Sequence, residues 1–267
     1  MKILLLANSD LASNYALNLL LPKLQGHQMK LFLSSSVGGN NRRDPALERL
    51  RFFEQDLFNK LVFPLLSQGA APKMKGFYGF APLLVEAASI ENSINAPEGL
   101  ARVVDFAPDL IISIRYGGIL KEELIGLPGR GIINLHSGRL PQYRGVMATF
   151  WAMLSGDTEL GTTLHTIEDA SIDTGRVIAT TGTALDAGKS YLGNVLDLYS
   201  PAVENIVKAV AVLARGEALR CEQQQQGGTY YSFPSGEDLA RFAEMGYELF
   251  NPQELLSFAS ENYLVDS

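Results

Sequence analysis

The chain of 267 residues is predicted to fold as an α/β protein with a Rossmann-like, mostly parallel sheet that is covered by helices on both faces. One observation is a series of uninterrupted apolar runs of strand length, at residues 1–7, 29–33 and 110–115. Strands that are buried on both faces have this pattern. The other observation is that helical segments separate these runs, which is typical of βαβ units.

The first turn of this pattern, Asn8-Ser9-Asp10, leads into a helix that carries Leu17 and Leu20. A GxGxxG motif is absent from the turn, and this disfavours a dinucleotide site. One interpretation of the three polar residues is a helix N-cap. The alternative is that the helix N-terminus receives a phosphate or another anionic part of a substrate.

Residues 40–69 have apolar side chains at helical spacing, which predicts an amphipathic helix. Its arginines fit a solvated face better than a phosphate clamp, and they include Arg42, Arg43, Arg49 and Arg51. The loop that follows holds Phe77 and Tyr78, which either line an acceptor pocket or pack over the sheet.

Residues 97–106 are predicted to be helical, and Gly117 and Gly118 follow the strand at 110–115. Paired glycines let a ligand approach the backbone closely, although a plain strand-to-helix turn is the alternative. Residues 188–215 predict a long helix that is kinked or broken at Pro201. We therefore expect one domain over residues 1–220 and a small C-terminal extension over 221–267, with a helix N-cap at Ser235.

The bulk composition is that of an ordinary globular protein, with 46% hydrophobic and 19% charged residues. A formal charge of −7 opposes general nucleic-acid binding, which depends on Lys and Arg. Cys221 is the single cysteine, so an intrachain disulfide is excluded. The sequence has no signal peptide and no membrane span. These features predict a cytoplasmic enzyme.

The densest group of reactive side chains lies in residues 131–178. Asn134 and His136 are two positions apart in a predicted strand, so they project to the same face. An amide can donate to a developing oxyanion, and an imidazole can exchange a proton near neutral pH. Asp173 follows the next strand in a turn closed by Gly175, and it is the candidate to orient the ring. The alternative is that all three are ordinary turn residues.

The whole pattern, NLHSGRLPQYRG followed by FWAM, GTTLH and IDTG, resembles the folate-dependent formyltransferase family. The resemblance implies catalytic roles for Asn134, His136 and Asp173. Many relatives have HPSLLP at the position where this chain has His136-Ser137-Gly138-Arg139-Leu140-Pro141. This departure does not affect Asn134, His136 or Asp173, but it changes the side of the site at which the formyl acceptor is expected to bind. The resemblance also implies 10-formyltetrahydrofolate as the formyl donor and requires no metal.

The folate pocket implied by the resemblance comes from two loops, which contain Gly118, Ile119, Leu120, Glu168, Asp169, Ala170 and Ile172. The candidate acceptor contacts are polar or aromatic residues near the motif or at strand ends, namely Asn8, Ser9, Asp10, Phe77, Tyr78, Arg139, Tyr143 and Arg144. His165 is either a half-buried histidine that faces a neighbouring strand or a residue that supports the site. Phe150 and Trp151 are most simply interpreted as residues of the hydrophobic core.

The expected function is transfer of a formyl group to the amine of a small molecule, such as an amino sugar nucleotide or a hydroxyornithine-like amine. The rivals are a hydrolase that releases formate, a methionyl-tRNA formyltransferase and a folate-binding module without activity. The expected partners are the amine and folate, without a membrane and without nucleic acid. A homodimer is compatible with the resemblance.

Overall fold

The computed structural model describes residues 1–37, 44–66 and 72–264. In chain order the strands are β1 (Lys2–Asn8), β2 (Gln28–Ser34), β3 (Ser89–Ile90), β4 (Leu110–Ile114), β5 (Ile132–His136), β6 (Tyr143–Gly145), β7 (Glu159–Ile167), β8 (Val177–Ala184) and β9 (Thr229–Tyr231). The α-helices are α1 (Leu11–Leu20), α2 (Pro45–Arg51), α3 (Phe63–Leu66), α4 (Pro97–Phe106), α5 (Glu122–Ile125), α6 (Ala148–Leu154), α7 (Tyr191–Asp197), α8 (Tyr199–Ala214), α9 (Gly236–Glu244) and α10 (Pro252–Tyr263). Short 3₁₀ helices cover Leu21–Leu24 and Phe77–Leu83.

The main sheet has seven strands in the order β3-β2-β1-β4-β5-β7-β8. The strands from β3 to β5 run parallel, and β7 and β8 add an antiparallel edge. Strands β6 and β9 form a separate parallel pair. The predicted fold class, a mostly parallel α/β sheet, is confirmed.

Alternation along the strands places a hydrophobic core on each face of this sheet. The front core contains Leu5 of β1 and Leu135 of β5 and is covered by α1, α6, α7 and α8. The back core contains Leu6 and Ile132 and is covered by α4 and α5. Both faces of the central strands are therefore apolar, which explains their uninterrupted hydrophobic runs.

The predicted amphipathic helix spans α2, two π-helical turns (Phe52–Asp56 and Phe58–Val62) and α3. The widened turns bury Glu54 and Gln55, two polar residues. Such π turns recur at functional sites. Arg42 and Arg43, which belonged to the predicted arginine face, lie outside the described residues.

The long C-terminal helical region breaks at Leu198, between α7 and α8, and not at Pro201 as predicted. Pro201 falls in the first turn of α8, where its missing N–H costs no helical hydrogen bond. Proline is therefore tolerated at the start of a helix, although it would disrupt a helix interior.

Residues after 220 pack onto the same body as the rest of the chain. Phe242, Leu255 and Tyr263 are buried in the front core, and the Tyr263 hydroxyl donates to Asn14 Oδ1 at 2.7 Å. The predicted N-cap at Ser235 is confirmed, with a capping box to Asp238. The domain boundary at residue 220 stays a prediction. Within the described ranges, no helix is long and apolar enough to cross a membrane.

Candidate active site

Strands β1, β4 and β5 end at the same edge of the sheet because they run parallel. Ile114 of β4 lies opposite Ala7 of β1 and Leu135 of β5. The residues that follow, Asn8, Arg115 and His136, therefore stand side by side, about 4.8 Å apart from strand to strand. This carboxyl edge is where α/β proteins bind ligands.

Asn134 and His136 share the back face of β5 with Ile132, as the two-residue period requires. His136 is only 7% exposed. The antiparallel neighbour β7 brings His165 opposite Asn134, and the Asn134 amide Nδ2 lies 3.0 Å from His165 Nε2.

Asp173 lies in the turn between β7 and β8, in a left-handed conformation with φ of 56°. Aspartate tolerates this conformation better than most residues. Its Oδ2 accepts a hydrogen bond from the Gly145 N–H at 2.8 Å, which ties the turn to the loop after β6. The same oxygen lies 3.5 Å from His136 Nδ1, and Oδ1 lies 3.3 Å from His165 Nε2. The fold thus brings Asn134, His136 and Asp173 together, as predicted, with His165 between them.

Two backbone carbonyls determine where the histidine protons lie. His136 Nε2 donates to the Tyr143 carbonyl at 2.6 Å, and His165 Nδ1 donates to the Thr166 carbonyl at 2.8 Å. The Asn134 amide nitrogen can only donate, so in this contact His165 Nε2 accepts from it. His136 Nδ1 can face the carboxylate favourably only when it also carries a proton.

The pKa of Asp173 is lowered to about 2. Burial alone would raise this pKa, but the nearby His136 ring, the His165 ring and the Gly145 N–H together outweigh burial. Asp173 is therefore ionised at every pH at which the protein would work.

These residues open onto a cavity of about 300 Å³. Most of the predicted folate contacts line it, namely Gly118, Ile119, Leu120, Asp169, Ala170 and Ile172. Glu168 is the exception, because its carboxylate binds Arg176 and the Thr166 hydroxyl on the outside of the loop. Asn8 also lines the cavity, as do Tyr230 and Phe233 from the C-terminal extension.

The N-cap interpretation of the first turn is confirmed, because Asp10 Oδ1 accepts from the Ser13 N–H at 2.7 Å. Asp10 is fully buried, and its carboxylate also accepts from Asn8 and Arg115. A carboxylate that already caps the helix repels a phosphate from the same N–H groups. Ser9 is already engaged within the protein. Its N–H donates to the Ser34 carbonyl, and its hydroxyl oxygen accepts from the Asn59 amide.

Several predicted acceptor contacts lie elsewhere. Phe77 is buried against the aromatic rings of Phe63 and Phe80, and Tyr78 is 84% exposed outside the cavity. The aromatic loop therefore packs over the body, because Phe77 gains more from the core than from a solvent-filled pocket.

The three predicted acceptor residues in the loop after β5 are also engaged within the protein. Arg139 pairs with Glu159 at the surface. The Tyr143 hydroxyl donates to Asp157 at 2.8 Å, and the Tyr143 ring stacks on Tyr231. Arg144 reaches the Gly228 carbonyl at 3.4 Å. These side chains hold the loop in place and do not line the cavity beside His136.

A buried ion cluster lies on the other side of His136, and no sequence pattern predicted it. Arg115 binds Asp10 at 3.0 Å and also pairs with Glu54 from the π-helical turn. Burial raises the pKa of Glu54 to about 7; Arg115 opposes the rise and Asp10 adds to it. In the sequence, Arg115 is simply the last residue of an apolar run that predicts a strand. Its ion-pair partners are distant in the sequence, so only the three-dimensional structure could reveal them.

Residues 77–193 match the sequence model of the formyl transferase family. The methionyl-tRNA formyltransferase of Geobacter sulfurreducens is 29% identical over 179 residues, which cover 64% of this chain and 56% of that protein. The chain therefore spans little more than half the length of this curated relative.

Two solved structures share the fold at low identity. A sugar N-formyltransferase from Shewanella sp. FDAARGOS_354 superposes with a TM-score of 0.57 at 15% identity, over 90% of this chain and 86% of that one. The Helicobacter canadensis N-formyltransferase, solved with folinic acid and dTDP-3-aminofucose, gives 0.55 at 16% identity, over 89% and 72%. The match over residues 77–193 and the shared fold make the chain similar to the formyl transferase family.

Proposed function

We propose that this chain transfers a formyl group from 10-formyltetrahydrofolate to the amine of a small molecule. The observation that carries the proposal is the meeting of Asn134, His136 and Asp173 beside one cavity. Residues 77–193 match the formyl transferase family, and an amide donor, an imidazole and a buried carboxylate are the groups that acyl transfer needs.

The cavity end formed by the two predicted folate loops suits a flat, polar-edged ring. Ile119, Leu120 and Ile172 supply apolar walls, and Gly118 leaves backbone groups accessible. Folinic acid was bound in the Helicobacter canadensis relative, which supports a folate donor here. When bound, the donor supplies an activated formyl carbon.

The protein groups would stabilise the negative charge that develops on the formyl oxygen when the amine attacks. One Asn134 N–H is held by His165, and this leaves the second N–H for the oxygen. The 3.5 Å separation between His136 Nδ1 and Asp173 is at the outer limit of a hydrogen bond, so this N–H can also turn to the oxygen. Asp173 keeps His136 protonated and oriented. Each such donor typically contributes about 100- to 1,000-fold in rate.

Methionyl-tRNA is a second candidate acceptor, because the curated relative is a methionyl-tRNA formyltransferase. The formal charge of −7 weighs against a nucleic-acid acceptor, which needs basic surface. A small amine remains the better proposal.

The test is tetrahydrofolate release from 10-formyltetrahydrofolate, measured with separate panels of amino sugars, hydroxylated amines and methionyl-tRNA. The expected result is release that depends on a small amine and yields one formamide per tetrahydrofolate. Release that is the same without any amine, with free formate as product, would mean a hydrolase. Formylation of methionyl-tRNA alone would establish the second candidate, and folate binding without turnover would mean a binding module.

A further inference from the structure

The cavity extends from the back face of the sheet across its carboxyl edge to the front face. At one end it meets Leu120, which packs in the back core. At the other end it meets Leu47, Leu50 and Tyr191, which belong to the front core. We call the second part the front end and define it by Leu47, Leu50, Glu54, Gln55, Arg115 and Tyr191. Asn134 and His136 lie between the two ends, so a donor in one end and an acceptor in the other would meet there.

Among the described residues, the buried charges in and beside the front end are two carboxylates and one guanidinium. Asp10 and Glu54 both pair with Arg115, and all three side chains are largely shielded from solvent. Two carboxylates against one guanidinium leave one negative charge when both acids are ionised. Arg51 stands at the rim, 41% exposed, and pairs with Glu48 at 3.7 Å, so its charge is already partly offset.

The front end also contains two buried polar groups that have no hydrogen-bond partner among the described residues. Tyr191 is 3% exposed and Gln55 is 9% exposed, and both line the cavity. Among the hydrogen bonds of the described residues, none involves the Tyr191 hydroxyl or the Gln55 side-chain amide. Buried polar groups are nearly always hydrogen-bonded, so groups that face a cavity without a partner indicate a ligand.

We propose that the front end binds the head group of the formyl acceptor, and that this head group carries hydroxyl or amino groups and no phosphate. The assignment rests on the proposed transfer reaction and narrows its substrate class. A hydroxyl or ammonium can donate to Glu54 and bond with Tyr191 and Gln55. A phosphate would lie against Glu54, and the two negative charges would repel each other whenever that carboxylate is ionised.

The first test compares matched amines with and without a phosphate, for example glucosamine with glucosamine 6-phosphate and ethanolamine with phosphoethanolamine. Formyl transfer to each member is followed by tetrahydrofolate release. We expect a kcat/KM for the unphosphorylated member that is about 10-fold higher or more. A preference for the phosphorylated members overturns the assignment, as does amine-independent consumption of the donor with no preference in any pair. If the donor is never consumed, the proposed transfer reaction itself fails.

The second test removes single groups from the front end. Tyr191→Phe deletes the unpartnered hydroxyl, and Tyr263→Phe is the control because Tyr263 is also buried but lies outside the cavity and donates to Asn14. We expect Tyr191→Phe to raise the acceptor KM by about 5- to 10-fold, which corresponds to the net free energy of one hydrogen bond. The KM of the formyl donor should not change. Glu54→Gln should raise the acceptor KM in the same way.

The control Tyr263→Phe should leave both KM values within error of the wild type. If Tyr191→Phe changes the donor KM and not the acceptor KM, the front end binds the donor. If neither KM changes in Tyr191→Phe and Glu54→Gln, the head group lies elsewhere. Either result overturns the assignment.

Discussion

Single atoms decide the chemistry at the centre of this site. The Tyr143 and Thr166 carbonyls fix one nitrogen of each histidine as a donor, and Asn134 fixes His165 Nε2 as an acceptor. Asp173 faces His136 Nδ1 at 3.5 Å and His165 Nε2 at 3.3 Å. His165 is a positioning residue in this arrangement, because it would act on the reaction only through Asn134 and Asp173.

Loss of the His165 acceptor should loosen the Asn134 amide. We expect His165→Leu to lower kcat by roughly 10- to 100-fold with little change in either KM, since misplacing one group by about 1 Å has effects of this size. His165→Gln should recover part of this loss, because its side-chain oxygen can accept from Asn134. Steady-state kinetics of both variants measure the effect. Equal kcat values for the Leu and Gln variants would show that His165 only fills space.

Asp173 should contribute to stability in a way that depends on pH. Its folded pKa of about 2 lies below the ordinary value of about 3.9. The carboxylate therefore stabilises the folded state above pH 4, and this contribution, about 2 kcal/mol, is lost as the pH falls from about 4 to about 2. Asp173→Asn keeps the left-handed backbone and removes the charge.

Urea unfolding of both proteins between pH 5 and pH 2 measures this contribution. The free energy of unfolding of the wild type should exceed that of Asp173→Asn at pH 5 and approach it at pH 2. A constant difference over this range would mean that the histidines do not hold the carboxylate.

At the scale of the element, the turn between β7 and β8 places Asp173 beside His136 and His165. The turn is held close to β7, because a Cβ at Gly175 would lie 1.7 Å from the Thr166 carbonyl oxygen. Gln224 of the C-terminal extension also donates to the Asp173 and Gly175 carbonyls, at 2.9 and 2.6 Å. Three of the four non-glycine residues with positive φ in the described chain, Arg115, Met147 and Asp173, line the cavity. Strain of this kind concentrates at functional sites.

A methyl group at Gly175 should therefore displace the turn. We expect Gly175→Ala to lower the free energy of unfolding by about 3 kcal/mol or more and to lower activity by moving Asp173. Gly129→Ala is the control, because a Cβ there meets no atom within 4 Å. Thermal or urea unfolding compares the two. Equal stabilities would show that the turn can shift freely.

At the scale of the whole molecule, the C-terminal extension is part of the folded body. Leu255 and Leu256 are neighbours in α10, but Leu255 is 2% exposed in the front core and Leu256 is 69% exposed. Leu255→Ala should lower the free energy of unfolding by about 2 to 5 kcal/mol, and Leu256→Ala by less than about 0.5 kcal/mol. One cooperative unfolding transition is expected for both. A separate early transition in Leu255→Ala would show that the extension folds independently.

Local pattern was enough to predict most of the fold. The apolar runs of β1, β2 and β4 and the alternation in β5 and β7 depend on neighbouring residues, and they predicted the sheet correctly. The helix break was misplaced at Pro201, because the tolerance of proline depends on where the helix starts. The contacts of the extension with the front core depend on long-range packing, which no local pattern contains.

Residue spacing and family resemblance were enough to predict part of the candidate site. Asn134, His136 and Asp173 do meet, although their order in the sequence gives no distances. The contacts of His165 and the cluster of Asp10, Glu54 and Arg115 depend on register and on a π turn. Phe77 and Arg139, which were predicted as acceptor contacts, do not line the cavity, since aromatic and cationic side chains serve packing and surface ion pairs equally well.

The most direct measurement follows the label from 10-[¹³C]formyltetrahydrofolate in single turnovers with an accepted amine, in the wild type and in Asn134→Ala. The wild type should move the label to the amine nitrogen, and Asn134→Ala should do so about 100- to 1,000-fold more slowly while it keeps the wild-type circular dichroism spectrum. Transfer at the wild-type rate by a folded Asn134→Ala would contradict a reaction centred on Asn134, His136 and Asp173.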